Sequence, residues 1–392
     1  MAVQRWRRLG ALALGAALMA AACGDDSDSG SSSGAKLDAP GDGKVKCTNV
    51  SLAFFGALTG GAANLGINIK NGAQLAIDSF NDKNKDCQVK LVEKDSQGDK
   101  AQAPALAKSV VDDKSILGVI GPAFSGESNA ANPIFNDAGV PIITPSATNP
   151  TLSTQKWGIF HRILGNDNDQ GPAAATYISG TLKAAKVFVI DDGTDYGKGL
   201  ADIVKSKLGA AVIGTDKTQE KQTDFAAVVT KVKAAAPDAI FYGGYYGEAG
   251  PLTKQLRDAG VKATFVAGDG VKDPGYVEAA GKTAAEGAIL TCPCQPVEKY
   301  SKDFIDAYKK IAKGQEPQTY SAEAYDAANV FLEALVAGKT DRKAINDFIG
   351  TYDKPGITKQ IKFDAAGEVT DKSVYAYTVK AGAIVYAAGP IK

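Results

Sequence analysis

Histidine is almost absent from this chain: one residue, His161, among 392. Tryptophan and methionine occur twice each, and neither sign of charge is in excess, with 44 Lys and Arg against 44 Asp and Glu. Each scarcity excludes something. A balanced charge leaves no electrostatic footprint for nucleic acid or for an anionic membrane face. A single imidazole, set in the apolar stretch 158–164, gives a histidine-ligated metal or a Ser–His–Asp triad little to build on, so His161 is expected to be structural. G-x-S-x-G is missing and no nucleophile–base pair stands out, so no enzyme is expected. Two Gly-Lys-Thr runs, 281–283 and 338–340, lack the upstream glycine of a phosphate loop, because Tyr276 and Glu333 stand there. Gly56, Gly60 and Gly61 are not spaced as G-x-G-x-x-G. No cofactor and no metal are expected.

What is present fits a compact, turn-rich protein: 44% hydrophobic residues with 43 glycines and 16 prolines, at a length that suits two lobes. The first 22 residues are expected to be a signal peptide. Arg5, Arg7 and Arg8 precede the apolar run Leu9–Ala22, which is too short to span a bilayer comfortably. Small residues Ala20, Ala21 and Ala22 stand directly before Cys23, an arrangement that resembles a bacterial lipoprotein signal, with Ala20 where leucine is usual. The alternative is an ordinary cleaved signal with an incidental cysteine. Residues 24–35 hold only Gly, Ser, Asp and one terminal Ala, and 23–46 is expected to be a lipidated cysteine with a flexible tether. The protein is then exported and touches the membrane only through its anchor.

Without Cys23 four cysteines remain, an even number in an exported protein, and they allow three pairings. Cys47 opens the first expected strand and Cys87 the second, so those strand starts can be bridged. Cys292 and Cys294 would then close a C-x-C loop. A metal site is the rival reading.

From Asn49 onward, short β-branched or aromatic runs alternate with amphipathic helical stretches. Strands are expected at 49–55, 88–93, 116–120 and 140–143, and a helix at 65–80 carries Ile69, Ala73, Ile77 and Phe80 on one stripe. A second series after Gly165 places strands at 186–190, 211–215, 239–242 and 264–267 between helices. Long helical patterns at 297–313 and 320–337, a shorter one at 342–349, and extended segments near 361, 374–379 and 384–386 follow. The rhythm is that of two doubly wound α/β units with parallel sheets.

In such sheets a ligand lies at the carboxyl ends of the strands, beside helix N-termini. Two adjacent strand ends here offer hydroxyl and N–H groups: GPAFSGES, 121–128, with Ser125, and TPSAT, 144–148, with Ser146 and Thr148. Alone, either is equally a capping turn; together they point to an anionic ligand group. Asp269 in GDG can pair with an ammonium or serve as a turn residue. Tyr196 and Tyr245 can present a phenol to a cleft or simply pack.

YGGYYGE, DQGPAAATYI, DYGKGL and ITPSATNPTL, in this chain, resemble the leucine/isoleucine/valine-binding proteins of ABC importers, which are type I periplasmic binding proteins. The resemblance runs from Val50 to about Val369. It implies two Rossmann-like lobes, 47–165 plus 293–354 and 166–292 plus 355–392, joined by three crossovers near 164–167, 290–294 and 352–358. It further implies that Ser125, Ser146 and Thr148 hold the ligand's charged ends, that Tyr245 donates to the carboxylate, and that Asp269 takes the ammonium. Tyr196 and Tyr320 would wall the side-chain pocket. Asp269 stands where glutamate is common, and Leu65 where an aromatic is. The implied partners are a small amino acid, aliphatic by the resemblance, and the permease subunits of an importer, with the protein a monomer. Amides, urea or another small organic ligand are the alternative, and a sensor would continue into a transmembrane segment.

Overall fold

A computed structural model describes residues 37–391. The expected signal peptide, Cys23 and the tether up to residue 36 lie outside the described residues. The last ten residues of the expected tether, 37–46, are held against the body. Asn84 Nδ2 donates to Pro40 O at 2.9 Å, Gly43 N–H donates to Asn84 Oδ1 at 3.2 Å, and Lys83 Nζ reaches Ala39 O at 2.6 Å. Leu37 and Val45 pack on the core. These two side chains supply the apolar surface that the Gly/Ser/Asp run before them lacks.

Five parallel strands form the first sheet: β1 (Val50–Gly56), β2 (Val89–Asp95), β3 (Ile116–Ile120), β4 (Ile142–Thr144) and β5 (Phe160–Arg162), in the order β2-β1-β3-β4-β5. Every residue of β1 and β3 is buried, as expected for parallel strands covered on both faces. The second sheet runs β14-β13-β10-β9-β8-β6-β7. Its parallel part is β6 (Val187–Asp191), β7 (Val212–Lys217), β8 (Ala239–Gly243), β9 (Thr264–Ala267) and β10 (Ile289–Cys292). The chain then leaves to add helices beside the first sheet and a ribbon of β11 (Asp353–Pro355) with β12 (Gln360–Lys362). It returns to the second sheet as the antiparallel strands β13 (Tyr375–Lys380) and β14 (Ala383–Ala388). The strand order reverses between β1 and β3 and again between β6 and β8, which sets a crevice at the carboxyl end of each sheet.

The helices that shape those crevices are α1 (Ala63–Lys83), α2 (Ala103–Asp112), α3 (Ser125–Asp137), the short α4 (Thr151–Thr154), α5 (Asp167–Thr176) and α6 (Asp195–Leu208). The stripe expected on α1 is there: Ile69, Ala73, Ile77 and Phe80 are all buried. Helix Ser321–Val336 crosses α1 so closely at Gly72 that a Cβ there would overlap the Ser321 carbonyl. No helix among the described residues is long and apolar enough to cross a membrane.

Three features differ from the sequence expectation. β5 was not expected, because it is three residues long and ends in Arg162. That guanidinium is fully buried and paired with Glu368, far along the chain. Helix α5 starts at Asp167, ahead of the helical pattern at 170–179, and widens into a π turn at Tyr177–Thr181. The helix expected at 297–313 is confined to Lys302–Ile311, with Ser301 Oγ capping the Phe304 N–H at its start. Cys47 is bonded to Cys87 and Cys292 to Cys294, with Cα–Cα distances of 4.5 and 5.1 Å.

Candidate functional site

The loops after β3, β4, β8 and β9 converge with α1, α6 and the segment before helix Ser321–Val336 on a narrow chamber with a cavity volume of about 10 Å³, room for a single water. It is far smaller than the ~300–1,000 Å³ of a pocket for a drug-sized ligand. Ser125, Ser146, Tyr196, Tyr245, Asp269, Tyr320 and Leu65 all line it. Thr148 does not. Its hydroxyl is buried without a well-formed hydrogen bond, close enough to Asp167 to pull that carboxyl's pKa down.

On the first-sheet side, Ser125 is the first residue of α3, where backbone N–H groups are unpaired by the helix. Glu127 turns back onto the Phe124 N–H at 3.3 Å and also takes the Ser96 hydroxyl. Burial pushes the Glu127 carboxyl up to about 8, against those bonds, so near neutral pH it is largely protonated and adds little charge at the helix start. Ser125 Oγ accepts the Asn149 N–H at 3.2 Å and keeps its own proton to give. The Ser146 hydroxyl is spent on Ala123 O at 2.7 Å, so Ser146 offers the chamber lone pairs and backbone rather than a proton. Arg162 holds the TPSATN loop in place by donating to Ala147 O at 2.8 Å and Asn149 O at 2.9 Å.

On the second-sheet side Asp269 is 2% exposed and is met by two phenols. Tyr196 donates to Oδ1 at 2.8 Å, and Tyr320 donates to Oδ2. The Gly270 N–H in turn donates to Tyr196 Oη at 3.0 Å. The tyrosines expected as walls thus also fix the carboxylate. Tyr320 does so from φ +72, a left-handed backbone that is uncommon outside glycine, and this aims its ring across the chamber. Burial raises the Asp269 pKa above its ordinary value, with Tyr320, Tyr196 and Gln170 pulling the other way. Tyr245 stacks edge-on with Phe124 at 5.3 Å and at a tilt with Tyr196 at 5.1 Å. Among the described residues no hydrogen bond ties its hydroxyl down.

Four further residues line the chamber that the sequence did not nominate: Ile69, Ala123, Phe124 and Gly270. Their signal was proximity, since each is the neighbour or helix-mate of a nominated residue. Asp167, at the start of α5, was also missed. It is fully buried with neither carboxylate oxygen bonded, and burial followed by the Asp269 charge pushes it well above the carboxylate range. His161 lies in β5 away from the chamber, its ring 5.1 Å from Phe363, with its pKa pushed down to about 4 by burial. No group of three or more His, Cys, Asp or Glu that could hold a metal occurs among the described residues.

The arrangement can do one thing well. Hydroxyl and N–H donors stand at one side, a carboxylate at the other, and Leu65, Ile69, Ala123 and Phe124 between them. That suits a small molecule with an anionic end, a cationic end and an apolar flank.

Known proteins resemble the chain over most of its length. Residues 49–383 match the family described as periplasmic binding protein. The Leu/Ile/Val-binding protein BraC3 of Rhizobium johnstonii is 31% identical, over 86% of this chain and 94% of that one. The branched-chain amino acid transporter substrate binding protein LivJ of Streptococcus pneumoniae, solved in complex with isoleucine, superposes with a TM-score of 0.80 at 31% identity, covering 86% of this chain and 98% of its own. The leucine binding protein LivK of Thermotoga maritima gives 0.79 at 31% identity, with the same coverage.

Proposed function

Since the chain belongs to the periplasmic binding protein family, we propose that it captures a branched-chain aliphatic amino acid, leucine, isoleucine or valine, between two closing lobes and delivers it to the transmembrane subunits of an ABC importer. One observation carries the reading: donors from the first sheet and the Asp269 carboxylate from the second face a single small chamber with an apolar flank. A zwitterion buried there needs partners at both ends, or desolvation prevents binding. Ser125 and Tyr245 take the ligand carboxylate. Asp269 takes the ammonium with the lone pairs its two phenols leave over. Thr148 acts from behind this surface, through Asp167. Leu65, Ile69 and Phe124 meet the side chain.

Ser125 sits on the lobe 47–165 plus 293–354, whereas Tyr245 and Asp269 sit on the lobe 166–292 plus 355–392. Only the closed arrangement satisfies both ends of the ligand, so binding and closure are one equilibrium. The protein works as an exported monomer held to the outer face of the cytoplasmic membrane by lipid on Cys23, and it binds without chemical change to its ligand. Membrane fractionation with mass spectrometry of the mature N-terminus tests the anchor; a product beginning elsewhere than at Cys23 removes it.

Calorimetric titration tests the ligand. Leucine, isoleucine and valine are expected to bind, and each at a hundred times its Kd should stabilise the protein by about 2.7 kcal/mol in a melt. Binding of short amides or urea with no response to any aliphatic amino acid would overturn the assignment.

A further inference from the structure

A second set of polar contacts joins the lobes at the rim of the chamber, and it converges on Asn149. Every polar group of this residue is engaged, and it is only 7% exposed. Its N–H donates to Ser125 Oγ at 3.2 Å, its carbonyl accepts Arg162, and its Oδ1 accepts both the N–H and the hydroxyl of Thr151, at 2.9 and 2.7 Å. These bonds fix the amide so that Nδ2 points at the other lobe, where it donates to the Asp195 carbonyl at 2.5 Å. Asp195 is the first residue of α6, and its side chain takes Asn129 Nδ2 at 2.9 Å and Lys100 Nζ at 3.5 Å, both from the first lobe. The next residue is Tyr196, whose hydroxyl holds Asp269. Gly199, one turn along α6, lets the amide in: a Cβ there would stand 2.9 Å from Asn149 Nδ2.

We infer that Asn149 and Asp195 form an interlobe latch, a pair of positioning residues that ties Ser125 at one end of the ligand to Tyr196 and Asp269 at the other and so sets how long the closed form lasts. The circuit runs from Ser125 through Asn149 to the Asp195 carbonyl, then along the chain to Tyr196 and its carboxylate. Neither latch residue lines the chamber, so neither selects the ligand. Because the latch is made only when the lobes meet, it acts on release rather than capture. The inference rests on the reading of two closing lobes given above.

Gly199→Ala is the discriminating variant. It lies inside a helix, where alanine is favoured over glycine, so it should not lower the melting temperature of the ligand-free protein. Its methyl nonetheless crowds the latch amide. Asn149→Asp is the second variant: it keeps an acceptor for Thr151 and turns the donor facing the Asp195 carbonyl into an acceptor. With L-leucine as the probe, both variants should release ligand about tenfold faster in a stopped-flow chase, with the association rate near that of wild type. Small-angle scattering of the ligand-free proteins supplies a reading independent of leucine, and a larger radius of gyration than wild type is expected for both. Wild-type release rates together with unchanged scattering overturn the latch, as does a Gly199→Ala protein that releases faster only because it melts early. If wild type itself fails to bind L-leucine, the ligand assignment is lost and the scattering difference alone decides the latch.

Discussion

At the scale of single residues, Asp269 concentrates the electrostatics of the chamber. It is buried, its pKa is raised, and its two phenolic donors are neutral groups that cannot replace a counter-ion. Asp269→Asn keeps an acceptor for one phenol and removes the charge. It should weaken amino-acid binding by about 2–5 kcal/mol, roughly thirty-fold to several-thousand-fold. The ligand-free variant should melt no earlier than wild type, because an expensive buried charge is gone. Calorimetry and a melt measure the two effects, and early melting with normal affinity would place the ammonium partner elsewhere. Wild-type affinity should also fall on acidification, starting above the pH at which an ordinary aspartate protonates, since the neutral acid cannot pair with the ammonium. His161 acts on stability instead. Its folded pKa of about 4 lies below the ordinary 6.5, so the unfolded chain takes up a proton in that window that the folded protein excludes. Stability is therefore lost as pH falls from 6.5 through about 4, by at most roughly 3 kcal/mol. His161→Gln should flatten that part of a stability–pH curve built from denaturant melts.

At the scale of elements, the contact between α1 and helix Ser321–Val336 depends on a missing side chain. Alanine at most helical glycines stabilises by up to about 1 kcal/mol. At Gly72 the new Cβ meets the Ser321 carbonyl, and Gly72→Ala is expected to cost about 1–3 kcal/mol in a thermal melt. The sequence displayed the apolar stripe of α1 because Ile69, Ala73, Ile77 and Phe80 repeat at helical spacing. It hid the role of Gly72, since a glycine within that repeat carries only its local cost until the crossing partner is known. It hid β5 for a similar reason. Arg162 reads as a surface residue until Glu368 is brought to it, and burial, which alone would raise the Glu368 carboxyl, is outweighed by the Arg162 bonds and charge. Seven of the eight residues nominated for the ligand line one chamber: Ser125, Ser146, Tyr196, Tyr245 and Asp269 are hydroxyls, phenols and an acid at strand ends, visible in a linear pattern, whereas Leu65 and Tyr320 were nominated by the family resemblance alone. Phe124, Ile69 and the buried Asp167 stayed hidden because apolar walls and helix-start acids look the same in sites and in ordinary cores.

At the scale of the whole molecule, the Cys47–Cys87 bond closes 40 residues that include β1 and α1. On a chain-entropy account such a loop is worth about 4 kcal/mol. A Cys47→Ser/Cys87→Ser protein is expected to lose about 2–4 kcal/mol in denaturant melts while keeping its affinity, because the bond lies at the amino ends of β1 and β2 and the chamber at the carboxyl ends of the strands. The same bond has a mechanical meaning. β1 sits inside its sheet between β2 and β3, and the chain enters it directly from residues 37–46. A pull on the amino end would first strip the contacts of Asn84 and Lys83 and then reach Cys47, where a covalent link shares the load with the start of β2. Drag on a body held by its amino end is then borne by two neighbouring strands in parallel, and β1 is spared from being drawn out alone.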